Sequence, residues 1–200
     1  MSNEGVDSGR RRFLTAATSV VGAGGAVAVA WPFLRSLWPS AKAQALGAPV
    51  AADISKIDAG QQVTFIWRGQ SVWVLNRTQD MVASLGKITP QLSDPDSKAS
   101  TQPEYCQNQG RSIKPEYLVM VGKCTHLGCS PKLRPDHPDP AIDPNWQGGY
   151  FCPCHGSKYD LAGRVFSGQP APLNMEVPPH RYASDTMVII GEDSSGKSST

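Results

Sequence analysis

The sequence predicts an all-β body carried behind one N-terminal transmembrane helix and a flexible tether. Three observations carry this expectation. An uncharged apolar run fills residues 13–34. β-branched and aromatic residues alternate in short runs after residue 62. Seventeen prolines and nineteen glycines cut the remainder into short pieces, which disfavours a helical bundle. Two hundred residues at 40% apolar content can bury one core and a small subdomain. A formal net charge of only +2, with no basic stripe in the body, excludes a nucleic-acid partner.

Residues 1–12 form the expected cytoplasmic N-terminus and 13–38 the membrane anchor. At 1.5 Å per residue, Phe13 to Leu34 reach roughly 30 Å, one bilayer crossing. Arg10, Arg11 and Arg12 precede the run, so the positive-inside rule leaves them in the cytoplasm of a bacterial inner membrane, with the body in the periplasm. Arg35, Trp31 and Trp38 stand where the far interface is expected. "RRRFLT" resembles a twin-arginine export motif, with Arg10 and Arg11 as the pair and Phe13-Leu14 following. That route exports chains already folded around a cofactor. A cleavable signal would end near "AKAQA" (Ala41 to Ala45), but the apolar run exceeds the 7–15 residues typical of such a signal, which favours a retained anchor. Residues 39–53 are rich in small side chains and read as the tether.

The body spans residues 54–191. Val63 to Trp67 and Val72 to Asn76 flank a turn-like "RGQS" and predict a hairpin. Tyr117 to Gly122 form a strand that runs into Cys124, and "GGYFCP" gives a short strand before the second cysteine run. A further hairpin is expected around Asp160 to Gly163, and Thr186 to Ile190 close the body. Pro90 to Pro115 read as a polar surface insertion, and residues 192–200 as a frayed tail. Trp67 and Trp73, at strand spacing, read as core.

The chemistry gathers in two runs, "CTHLGC" (124–129) and "CPCHGS" (152–157). Each offers one thiolate, one imidazole and a spare thiol. Two Cys and two His complete a four-ligand metal site, and the spares are able to bond to each other in an exported protein. Structural zinc is the first rival, but zinc modules pair ligands of one type as C-x₂₋₄-C and H-x₃₋₅-H, whereas both runs mix the types. Neither the haem motif C-x-x-C-H nor the thioredoxin motif C-x-x-C occurs. Five cysteines are an odd count, so one is left over; Cys106, in the polar stretch, is the expected free thiol.

C-x-H-x₂-G-C followed by C-x-C-H-G-S resembles the signature of Rieske proteins, and the likeness extends from the N-terminal anchor to "GQPAPLNMEVP" and the last strand. Within that family the chain is similar to the iron–sulfur subunits of ubiquinol–cytochrome c reductases. The resemblance implies an antiparallel β-sandwich head with a cluster-binding subdomain at about 122–173. It implies one 2Fe–2S cluster, with Cys124 and Cys152 on one iron, His126 and His155 on the other, and a Cys129–Cys154 disulfide tying the loops. Two ferric irons, two sulfides and two thiolates sum to zero charge, so an added electron costs less than at an all-thiolate site. Ser157 and Tyr159 match hydroxyls that donate to a bridging sulfide and to the Cys124 sulfur; such donors raise the potential. Leu127 matches an apolar shield at the docking tip, and Pro170 and Pro172 a third loop covering the cluster. His155, with His126 beside it, is the implied quinol contact, taking a proton as the electron arrives.

The implied function is electron transfer from ubiquinol to a c-type cytochrome subunit, beside cytochrome b in a dimeric membrane complex. Two other readings are open at this point. One is the small Rieske subunit of a molybdenum oxidase such as arsenite oxidase; the other is a Rieske ferredoxin or oxygenase module. The spare cysteines and the Ser157–Tyr159 pair argue against the oxygenase type, and the "GQPAPLN" loop, anchor and tether favour the quinol-oxidising one. His137 and His180 read as surface or loop histidines.

Overall fold

A computed structural model describes residues 5, 7–135, 142–143 and 146–193; His137 and tail residues 194–200 lie outside them. The chain divides into two compact units, Met1–Ala45 and Leu46–Thr200.

The first unit is dominated by α1 (Ser8–Ser36), long and apolar enough to cross a membrane. Asp7 caps it, its carboxylate accepting the N–H groups of Gly9 (2.9 Å) and Arg10 (3.2 Å). The Thr15 and Thr18 hydroxyls donate back to the carbonyls of Arg11 and Leu14, which satisfies their polarity within the helix. The Arg35 guanidinium lies 5.9 Å from the Trp38 ring, a cationic and aromatic pair suited to an interface. A second short helix, α2 (Ala41–Leu46), occupies part of the expected tether.

The second unit holds three three-stranded antiparallel sheets among its described residues. The first orders β1 (Val50–Asp53), β9 (Met187–Ile190) and β8 (His180–Ser184). The second is a meander of β2 (Gln62–Trp67), β3 (Gln70–Asn76) and β4 (Tyr117–Val121). The third comprises β5 (Lys132–Arg134), β6 (Gly149–Phe151) and β7 (Lys158–Tyr159). Arg68 and Gly69, at φ +52° and +71°, make the two-residue turn between β2 and β3, the left-handed pair whose twist matches a hairpin.

β3 and β4 of the middle sheet are buried on both faces, while β2 leaves Thr64 and Ile66 exposed, and alternation sorts the side chains. Val72, Val74, Val119 and Val121 meet Ala52, Ile54, Val188 and Ile190, closing a sandwich against the first sheet. Trp73, Leu75, Leu118 and Met120 point the other way, onto Tyr150, Tyr159, Cys124 and Cys152. The Trp73 and Tyr150 rings stack at 5.3 Å and 9°, and the Tyr150 hydroxyl donates to Gln62 Oε1 (2.8 Å). A Cβ at Gly122 would overlap the Trp73 indole, so this glycine admits the ring beneath the start of the first cysteine loop.

Four expectations change. Val50–Asp53 are a strand of the head rather than tether: Ala52 is fully buried, and the segment pairs with β9 in the register Val50↔Ile190. The stretch at 90–115 lies at the surface over much of its length but is pinned by buried side chains, with Ser97, Cys106 and Arg111 at 0% exposure. Two 3-10 turns, Thr89–Gln91 and Glu104–Cys106, punctuate it. His180 is buried on β8, not at the surface. At the tail's start, Glu192 is ordered as an acceptor for Arg181 Nη2 (3.3 Å).

Candidate metal centre

The two cysteine runs fold into loops of one design. In the first, the Cys124 N–H donates to the Cys129 carbonyl (2.8 Å) and the Gly128 N–H returns to the Cys124 carbonyl (3.0 Å). In the second, the Cys152 N–H donates to Ser157 (2.8 Å) and the Gly156 N–H to Cys152 (2.9 Å). Gly128 and Gly156, at φ +84° and +78°, supply the left-handed residue each loop needs. One loop follows β4 and the other joins β6 to β7, so the sheets present both at the same end.

Between the loops lie the four expected ligands. Cys124 and Cys152 are buried free thiols. The His126 and His155 rings meet edge-on, centroids 4.7 Å apart. His155 is exposed and His126 half-buried, its Nδ1 enclosed without a hydrogen-bond partner. Cys129 and Cys154 form a disulfide, Cα atoms 6.7 Å apart, across the two loops. The sulfurs of Cys129, Cys152 and Cys154 fall within 4.8 Å of one another. As a metal-binding triplet this grouping fails, because the disulfide sulfurs have no thiolate to offer; what it records is the closeness of the clamp to the Cys152 thiol.

The donor set fits a cationic metal group. Burial pushes the Cys152 thiol up, against donation from the Cys154 and His155 N–H groups and with the Cys124 thiol adding to the rise. A thiolate there needs a positive partner, and the orphaned Nδ1 of His126 needs an electron-pair acceptor. Both needs would be met by a metal cation held between the loops.

The surrounding hydroxyls are tightly placed. The Tyr159 hydroxyl lies 3.1 Å from Cys124 Sγ and accepts the Thr125 N–H at 3.2 Å. Thr125 Oγ1 gives its proton to the Leu173 carbonyl (2.6 Å); at 3.3 Å from the Tyr159 hydroxyl it is the longer of two contacts for the phenol's one proton, which goes to Cys124 Sγ. Burial, and then the Cys124 neighbour, push the Tyr159 phenol up, so it keeps its proton and remains a donor. Ser157 is fully buried; its Oγ accepts the Ala171 N–H (3.1 Å), tying the third loop to the second and leaving its own proton to donate. Pro170 and Pro172 are exposed on that third loop, and Leu127 projects at the tip with 72% exposure.

Sequence reasoning missed Thr125, whose bonds join the first loop to the third, and Asn174, whose Oδ1 accepts Val165 N–H (2.8 Å) while Nδ2 donates to the Asp94 carbonyl (2.8 Å). It also missed Arg77, Arg111, Asp160 and Arg164, all buried and meeting on the turn that follows Tyr159. Only Asp160 and Arg164 carried a signal, an acid and a base four apart across a tight turn.

Residues 97–179 match the family model of the Rieske [2Fe-2S] domain, and residues 1–40 that of the ubiquinol–cytochrome c reductase Fe–S subunit TAT signal. The ubiquinol–cytochrome c reductase iron–sulfur subunit of Allochromatium vinosum is 54% identical over 96% of this chain and 93% of its own length. The chain belongs to the ubiquinol–cytochrome c reductase iron–sulfur subunits. The Rhodospirillum rubrum member is 43% identical over 95% of this chain and 96% of its own. A solved chain of a hyperthermophilic respiratory Complex III shares 23% identity at a TM-score of 0.46, covering 87% of this chain and 98% of that one. As a Rieske iron–sulfur subunit, the protein is a membrane-anchored bacterial redox subunit carrying a 2Fe–2S cluster. Membership sets aside the molybdenum-oxidase and oxygenase readings.

Proposed function

We propose that the head takes one electron and one proton from ubiquinol at a site shared with cytochrome b, on the periplasmic side, and passes the electron to the c-type cytochrome subunit. The observation that carries this reading is the edge-on pair of His126 and His155, one half-enclosed and one exposed, beside an exposed leucine. Cys124, Cys152, His126 and His155 hold the cluster, which when bound supplies a one-electron acceptor of raised potential.

This chain's own residues do the rest. The enclosed Nδ1 of His126 would hold the iron and leave its Nε2 free, and His155, exposed at the same tip, would offer a ring nitrogen to the quinol hydroxyl. His155 Nε2 then holds the transferred proton. Leu127 covers the approach and excludes water. Tyr159 donates to the Cys124 sulfur, the Ser157 hydroxyl would give its remaining proton to the cluster, and the Cys129–Cys154 disulfide fixes the two loops relative to each other. The residues between α1 and β1 tether the head so that it serves both partners in turn.

The test is purification of native membranes. Co-migration of the chain with cytochromes b and c, and quinol-dependent cytochrome c reduction lost on Leu127→Asp or His155 substitution, are expected. Quinol-dependent cytochrome c reduction that survives both substitutions at the wild-type rate would overturn the reading.

A further inference from the structure

Three guanidiniums lie buried behind the centre, and none has a place in the chemistry above. Arg111, from the 90–115 segment, is fully buried and held in the left-handed region at φ +49°. Its Nη1 donates to the carbonyls of Met175 (2.6 Å) and Ala162 (3.3 Å), and its Nη2 to Gln102 Oε1 (3.0 Å). Arg77, just after β3, donates from Nη1 to Leu161 (3.2 Å) and Gly110 (2.9 Å), and from Nη2 to Ser112 Oγ (2.7 Å). Arg164 Nε meets Asp160 Oδ2 at 2.7 Å, while Asp160 Oδ1 accepts the N–H groups of Ala162 (2.9 Å) and Arg164 (2.7 Å).

All three cations therefore close on one turn, Asp160–Arg164, that begins immediately after Tyr159. The turn has no slack: Gly163 sits at φ +70°, a Cβ there would overlap Met120 Sδ, and the Met175 N–H binds its carbonyl at 2.8 Å. Burying guanidinium forks costs desolvation that apolar side chains would avoid, so their gain is the fixed geometry of the carbonyls they hold. Tyr159 is itself fully buried, and a displacement of the turn moves its hydroxyl against Cys124 Sγ.

We propose that Arg111 and Arg77 are positioning residues for Tyr159: by clamping the Ala162 and Leu161 carbonyls they hold its hydroxyl on Cys124 Sγ and so help set the reduction potential of the centre. The segment at 90–115 thereby acquires a role, as the supplier of Arg111 and its Gln102 partner. The inference rests on the ligand assignment proposed above.

The test is a double-mutant cycle on the intact complex in membranes, read as the midpoint potential of the cluster by EPR-monitored titration. Arg111→Gln lowers the potential by less than Tyr159→Phe does, and adds no further lowering in the Tyr159→Phe background. Arg111→Lys, which keeps the charge and loses the fork, lowers it as well. Three results overturn the proposal: an unchanged potential in Arg111→Gln with full cluster content, additive shifts in the double variant, or a wild-type potential in Arg111→Lys. Where Arg111→Gln does not assemble, Arg77→Lys and Arg111→Lys are read through the same cycle. Absence of a two-histidine cluster signature from the wild-type chain would overturn the ligand assignment instead, a separate and recognisable outcome.

Discussion

Gly128 and Gly156 hold the same station in two loops of unrelated sequence, each at left-handed φ and each donating its N–H to the cysteine carbonyl four residues back. The loops thus converge on one backbone form, although histidine stands two residues after cysteine in one and three after it in the other. Nothing lies within 4 Å of a Cβ built on Gly156, so a side chain there meets only the backbone's own preference. Gly156→Ala should therefore cost about 1–2 kcal/mol, and Gly156→Asn less, because asparagine tolerates the left-handed region. Thermal denaturation checks this order; equal melting temperatures for the alanine variant and wild type would refute it.

Tyr159→Phe removes one hydroxyl and no packing volume. Because the phenol keeps its proton, it donates to the Cys124 sulfur across the physiological range, and the reduced state, richer in negative charge, gains more from that bond. A lower midpoint potential with unchanged cluster content is expected, and slower quinol oxidation with it. The Thr125 N–H loses its acceptor at the same time, so a small loss of thermal stability, about 1 kcal/mol, accompanies the shift.

Cys129→Ser opens the clamp between the loops. The disulfide joins residues 25 apart in sequence, for which loop-closure entropy gives about 3.5 kcal/mol. Because both loops sit on short strands, the loss should appear first at the centre: the cluster is released at lower temperature than in wild type, before the sandwich melts. Cluster absorbance and far-UV ellipticity followed together on heating separate the two events. Coincident transitions at the wild-type temperature would show that the clamp is dispensable.

The parts of the molecule that were legible in the sequence share a physical property: their pattern is local. The β2–β3 hairpin announces itself by alternation around Arg68-Gly69, and the cysteine loops by ligand spacing. β1 did not, because Val50–Asp53 is mostly alanine and small, and its burial depends on β9 at the far end of the chain. β8, reading HRYAS, is polar for the same reason: one edge is half-wet, and its pairing partner rather than its composition makes it a strand. Arg77 and Arg111 were illegible in a stronger sense. A charged residue in a polar stretch reads as surface, and only the distant carbonyls of Leu161 and Ala162 turn it into core.

His180 supplies a prediction about pH. Its Nδ1 faces the Pro178 carbonyl at 2.9 Å, so Nδ1 carries the hydrogen and the buried Nε2 is bare and without a partner. Burial holds its pKa below the ordinary histidine value, against the opposing pull of that carbonyl. In the unfolded chain the ring titrates near 6.5, so below that pH the unfolded state binds a proton that the folded state refuses. Stability contributed by the neutral ring is present above the unfolded pKa and is lost as pH falls beneath it, by up to about 1.4 kcal/mol per unit. His180→Asn retains a donor for the Pro178 carbonyl and removes the titration. Melting temperatures of the detergent-solubilised full chain between pH 7.5 and 5.5 should therefore fall more steeply for wild type than for His180→Asn, although the variant starts lower for want of the ring's packing against Tyr105. Parallel slopes would show that another group carries the acid sensitivity of the head.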